Sequence, residues 1–207
     1  MTTATLTFDD SVVLTDVSWR DYERWRLAPA NFNLKMTYTR GTLEIMSPSR
    51  RHERVSYLIG RLIDVWTETH RIPCSPARAT TLRRVDLDCG VEPDNCYYLE
   101  HESDVRGSDD LDLATDPVPD LVVEVEVKLK ATDRLPIYAA LGVPELWRWR
   151  EERLGVLRLD ETGSYSETEE SAALPGFPVQ IAVDLIARRH AIGDTDVVRE
   201  FRNTISI

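Results

Sequence analysis

The stretch PDLVVEVEVKLKATDR, residues 119 to 134, constrains this chain more than any other. Its valine run has the composition of an interior strand, where β-branched side chains pack well. Side chains alternate along a strand, so Leu121, Val123, Val125 and Val127 form a purely apolar face. The opposite face carries Asp120, Val122, Glu124, Glu126 and Lys128. Glu124 and Glu126 are two residues apart, about 6.8 Å between α-carbons. At an effective dielectric near 20, their carboxylates repel by roughly 2 kcal/mol, so a divalent cation or a basic partner is expected beside them. The competing reading is a solvated outer face on which Glu126 pairs with Lys128.

Around this strand the chain alternates strand and helix signals. Residues 1–33 read as a lead-in containing one short helix, capped by Ser18 and ended by Pro29. LKMTYTRGTLEIMSP reads as a hairpin turning at Arg40-Gly41. Ser47-Pro48 predicts a helix start, and Val55, Leu58, Ile59, Leu62, Ile63 and Trp66 make an apolar stripe over about 49–70. His52 lies on that stripe. Strands are expected over 79–87, with a turn at Cys89-Gly90, over 92–100, and over 119–128. A short helix opens at Thr132 or Asp133 and ends at Gly142. The strand PELWRWR, a meander to about Glu167 and a helix near 183–189 complete a domain over 34–190, with 191–207 as a tail. This order describes an α/β (α+β) fold with a central mixed sheet flanked by helices.

Composition narrows the function. The polar, acidic opening MTTATLTFDD does not read as a signal peptide, and no apolar run approaches a membrane span. Three cysteines without a CxxC pair suggest reduced thiols in a cytoplasmic protein. The net charge of −11 argues against non-specific nucleic-acid binding, although arginines cluster locally at 20–26, 50–54 and 83–84. His70, His101 and His190 lack partners at ligand spacing and read as surface residues. Trp147 and Trp149 alternate with Arg148 and Arg150, which suits packing or a dimer surface better than base stacking.

A second acid arrives in EPD. Asp94 opens its strand and shares a face with Cys96 and Tyr98. If that strand neighbours 119–128, Asp94 lies beside Glu124 and the two form a carboxylate pair suited to Mg²⁺, which combines such groups with waters and phosphate oxygens.

GTLEIMSPSRRHE, EPDNCYYL, PDLVVEVEV and DRLPIYAALGVPELWRW, in that order, resemble the Uma2 family of the PD-(D/E)XK nuclease superfamily, over about 34–186. The resemblance implies a restriction-endonuclease-like core and a Mg²⁺- or Mn²⁺-dependent endonuclease acting on DNA; a homodimer would suit cutting of both strands. Carried onto this chain it makes Asp94 and Glu124, with Glu126, the metal ligands, and Glu44 or Glu53 the early acid, with His52 near Glu44. The chain departs from the pattern at the lysine, whose position Glu126 occupies. A shift of two gives Glu126-Val127-Lys128, which makes Lys128 the candidate and Arg134 a second one. A catalytically silent relative, acting as a binding or assembly module, is the alternative that the charge and this departure favour.

Overall fold

The structure, a computed structural model, describes residues 9–128 and 131–205. The start of the expected lead-in, the end of the expected tail, and Leu129 and Lys130 lie outside the described residues. In chain order the elements are β1 (Ser11–Leu14), α1 (Trp19–Arg26), β2 (Lys35–Thr39), β3 (Thr42–Met46), α2 (Arg50–His70), β4 (Ser75–Pro76), β5 (Leu82–Arg84), β6 (Cys89–Val91), β7 (Asn95–Tyr98), α3 (Glu102–Val105) and β8 (Leu121–Glu126). There follow α4 (Leu135–Leu141), β9 (Glu145–Arg150), β10 (Arg153–Leu159), β11 (Tyr165–Thr168), α5 (Val179–Ala187) and α6 (Asp194–Ile205).

The strands form two sheets. The central one is mixed, in the order β11-β10-β9-β8-β7-β4, with β8 and β9 parallel and its other pairs antiparallel. The second is antiparallel, in the order β1-β3-β2-β6-β5. The mixed α/β fold flanked by helices is therefore present, with a second sheet beside the central one. Residues expected as lead-in and tail take part in it: β1 pairs with β3, and α6 places Val197, Val198 and Phe201 in the core.

Residues 121–126 occupy the middle of the mixed sheet because both of their faces can be covered. Leu121, Val123 and Val125 pack under α2, α5 and α6 together with Trp147 and Trp149, so these tryptophans are packing residues. Each such buried side chain contributes about 1.5–3 kcal/mol by leaving water. On the other face Val122 packs with Ile137, Tyr138 and Leu141 of α4. The charged face is thus roofed over as far as Glu124, which is 2% exposed, while Glu126 is half-buried and Lys128 exposed.

Local details refine the expectations. Ser49, not Ser47, caps α2, accepting from the His52 N–H at 3.2 Å. The turn expected at Cys89-Gly90 falls at 85–88, with Asp88 left-handed, and Cys89–Val91 is a strand. Aspartate tolerates that conformation, which relieves the glycine of turn duty. Gly90 instead lies under the buried Tyr22 ring: a β-carbon there would come within 2.8 Å of Tyr22 Cζ. α4 has no side-chain cap at its first position; Asp133 accepts from the Leu135 N–H at 3.1 Å, and Gly142 ends the helix at φ +84°.

Candidate functional site

Two central strands bring the predicted acids together. In the β7–β8 register Asn95 faces Val123 and Cys96 faces Val122. One further step puts Asp94 opposite Glu124, and the Asp94 N–H still donates to the Val123 carbonyl at 3.2 Å. Residues facing each other across an antiparallel pair have α-carbons about 4.5–5.5 Å apart. Both carboxylates are buried, Asp94 at 5% and Glu124 at 2% exposure.

Each carboxylate is held by donors from elsewhere in the fold. Asp94 Oδ2 accepts from the Val125 N–H at 2.6 Å and lies 3.1 Å from His52 Nε2. Asp94 Oδ1 contacts the Lys35 ammonium, which also donates to the Pro93 carbonyl at 3.3 Å. Arg134 Nη1 donates to both oxygens of Glu124, at 3.1 and 3.0 Å, and the Tyr138 hydroxyl donates to Oε1. Asn95 locks the start of β7 to α2 through Ser56, donating to its carbonyl at 3.1 Å and its hydroxyl at 2.8 Å.

The electrostatics follow from burial and these partners. Burial alone would push the His52 imidazolium down, but the Asp94 charge and the ring's N–H contacts to the Asp94 and Glu53 carboxylates outweigh it, raising its pKa to about 9. Burial likewise opposes the Arg134 charge, and Glu124 and Tyr138 outweigh that cost. Burial, then Glu124, lifts Tyr138 well above the usual phenol range, so it remains a donor. Nearby, burial raises Glu92, whose oxygens accept from the Met36 N–H and the Thr81 hydroxyl at 3.1 Å each.

The remaining predicted residues fall around this pair. Glu44 is 1% exposed, and its oxygens accept from the Ala131 and Thr132 N–H groups at 3.1 and 3.2 Å. It thereby holds the backbone that leads from β8 to α4. Glu44, His52, Val127 and Lys128 line a narrow pocket of about 10 Å³. Lys128 lies beyond the end of β8, so the strand's alternation does not carry to it, and it pairs with Asp10 at 2.8 Å. Glu126 closes the strand opposite Arg150 and lines a different pocket, of about 300 Å³, with Arg51 and Lys128. Asp120 sits at the far end of the strand, accepting from the Leu99 and His101 N–H groups at 2.6 and 3.1 Å. His101, expected at the surface, meets Asp120 through Nδ1 at 2.5 Å, while His70 stacks on Trp66.

Lys35 and Tyr138 were not singled out from the sequence. Lys35 is one of only three lysines, and Tyr138 follows Arg134 by one helical turn on the buried side of α4. Both signals were present, but only the packing gives them a carboxylate to meet.

Could a divalent cation reside here? Asp94 Oδ1 and the Pro93 carbonyl already converge on one cation, the Lys35 ammonium, and a second buried carboxylate faces Asp94 across the strands. Hard oxygen donors of this kind suit Mg²⁺ or Mn²⁺. Among the described residues no three His, Cys, Asp or Glu side chains gather as a ready-made cage. Two carboxylates, with water and phosphate oxygens completing the shell, nonetheless match the way Mg²⁺ is usually held.

A central mixed sheet flanked by helices, with two facing acids buried on neighbouring strands, defines a mixed α/β protein with an acidic pair in its interior. The sequence model of the Uma2 family, described as "Putative restriction endonuclease", matches residues 19–185. The chain belongs to the Uma2 family. Among solved structures it is similar to the crystal structure of "a putative nuclease belonging to DUF820" from Anabaena variabilis. That chain is 15% identical, with a TM-score of 0.49, over 80% of this chain and 90% of the other. No curated protein matches the chain. No helix among the described residues is long and apolar enough to cross a membrane.

Proposed function

We propose that this chain is a metal-dependent endonuclease that hydrolyses phosphodiester bonds of DNA. The observation that carries this reading is the facing pair Asp94–Glu124, buried yet joined through Lys35 to an open cleft of about 600 Å³. A pair of acids in the interior is costly unless cations accompany it, and such pairs concentrate at functional sites. Asp94 and Glu124 would hold Mg²⁺ or Mn²⁺. When bound, such an ion polarises a phosphate and lowers the pKa of a water that attacks phosphorus.

The rest of the work falls to the chain's own groups. Val125 N–H and His52 fix the Asp94 carboxylate, while Arg134 and Tyr138 fix that of Glu124. Lys35, 12% exposed at its side chain, stands at the cleft floor where it can meet a phosphate oxygen and stabilise developing charge. Glu44 shapes the segment that presents α4. Glu126, on the same face of β8 as Glu124, and Lys128, past the strand's end, would assist from the pocket they share with Arg51.

A second reading, a silent binding module, is favoured by the same pairing: Lys35, His52 and Arg134 already compensate both acids. Calorimetric Mn²⁺ titration and cleavage of DNA, in single- and double-stranded form, separate the two. The endonuclease reading expects metal binding and cleavage in the wild type and loss of both in Asp94→Asn and Glu124→Gln. Equal metal binding in wild type and Asp94→Asn would overturn it, as would full cleavage by Glu124→Gln.

A further inference from the structure

Two clefts meet at the candidate site. The first, of about 600 Å³, includes Arg26, Leu27, Phe32, Lys35 and Glu92 in its walls. The second, of about 480 Å³, is bounded by Arg50, Arg54, Tyr57, Arg78 and Asp94, and shares Lys35, Glu53 and Ala79 with the first. The Lys35–Asp94 contact therefore lies at their junction.

The two halves differ in chemistry. At the first, Phe32 is 74% exposed and Leu27 61% exposed, an open apolar platform rimmed by Asn31 and Asn33. At the second, every acid has a partner: Asp94 meets Lys35 and His52, Glu53 meets His52 at 3.5 Å, and Asp194 is held by Arg54. In the first, Glu92 is satisfied by Met36 and Thr81. Arg50 and Arg78, both exposed, make no hydrogen bond or ion pair among the described residues. Tyr57, 43% exposed, adds an aromatic face with the Arg61 guanidinium 5.9 Å from its ring. In a chain of net charge −11, this surface has surplus cations beside open rings. Cations that follow a backbone, alternating with aromatic faces for bases, are what an unpaired strand requires; in a duplex the base faces are already stacked and hidden.

We infer that the substrate strand crosses this junction unpaired, its phosphates along Arg50, Arg78 and Lys35 and a base stacked on Phe32, so that single-stranded DNA is the preferred ligand. This rests on the endonuclease reading for its place at Asp94 but is tested without cleavage. Fluorescence anisotropy in EDTA compares a labelled single-stranded oligonucleotide with its blunt duplex. The expected result is at least fivefold tighter binding of the single strand. Phe32→Ala should weaken it about fivefold or more, and Phe32→Tyr should restore it. Arg50→Ala with Arg78→Ala should flatten the salt dependence of binding. Phe32 is exposed, so circular dichroism of its variants should match the wild type. Equal binding of duplex and single strand, or wild-type affinity in Phe32→Ala, would overturn the inference even if Asp94→Asn abolishes cleavage. Phe32-dependent binding in a protein that never cleaves would remove the endonuclease reading and leave this one standing.

Discussion

The buried pair Arg134–Glu124 offers the sharpest test of how this site is held. Their side chains are 4% and 3% exposed and meet at 3.0 Å. At an effective dielectric near 20, unit charges about 3 Å apart attract by roughly 5 kcal/mol, and the loss of hydration by both offsets much of this. Arg134→Met keeps the volume but leaves a carboxylate in the interior without its guanidinium. Breaking a buried pair in this way costs about 3–5 kcal/mol, a large share of the roughly 5–15 kcal/mol that stabilises a domain. Glu124→Gln in turn strands the arginine but keeps an acceptor for Tyr138. The double variant removes both charges together, so its loss should fall short of the sum of the single losses by about 1.5 kcal/mol or more. Urea unfolding of the four proteins, with a common slope, measures the cycle. A cost below about 1 kcal/mol for Arg134→Met, or an additive cycle, would refute the argument that these two charges hold each other in place.

Two further expectations follow from other parts of the fold. Gly90→Ala would press a β-carbon against Tyr22, whose ring is stacked on Tyr38 at 4.9 Å and cannot withdraw; thermal or urea unfolding should show a loss of about 1–3 kcal/mol. His101 is raised above 6.5, chiefly by its hydrogen bond to Asp120. Its small contribution to stability is complete below 6.5 and fades as pH rises through the folded value; an NMR titration of His101 in Asp120→Asn should fall below that of the wild type, and an unchanged midpoint would remove Asp120 as the cause.

The legible features were those with a local cause. The α2 stripe, the Arg40-Gly41 hairpin and the Gly142 helix stop each depend on residues within a turn or two of one another, and each stands where the pattern put it. The facing of Asp94 and Glu124 was also within reach, because strand alternation and one assumption of adjacency suffice to produce it. Alternation says less about Lys128, because it holds only while the strand lasts, and β8 ends at Glu126. Nothing local marks that end.

By itself, then, the sequence determined an amphipathic helix, an interior valine strand, a pair of acids on neighbouring strands and a family resemblance. Only the tertiary structure decided what neutralises those acids. Lys35 comes from β2, Arg134 from the residue that opens α4, Tyr138 from within α4, and His52 from the first turn of α2; no periodicity links them. They meet because the roofing of both faces of β8 removes water from Glu124 and Asp94, and charges without water must find opposite charges, however far along the chain these lie.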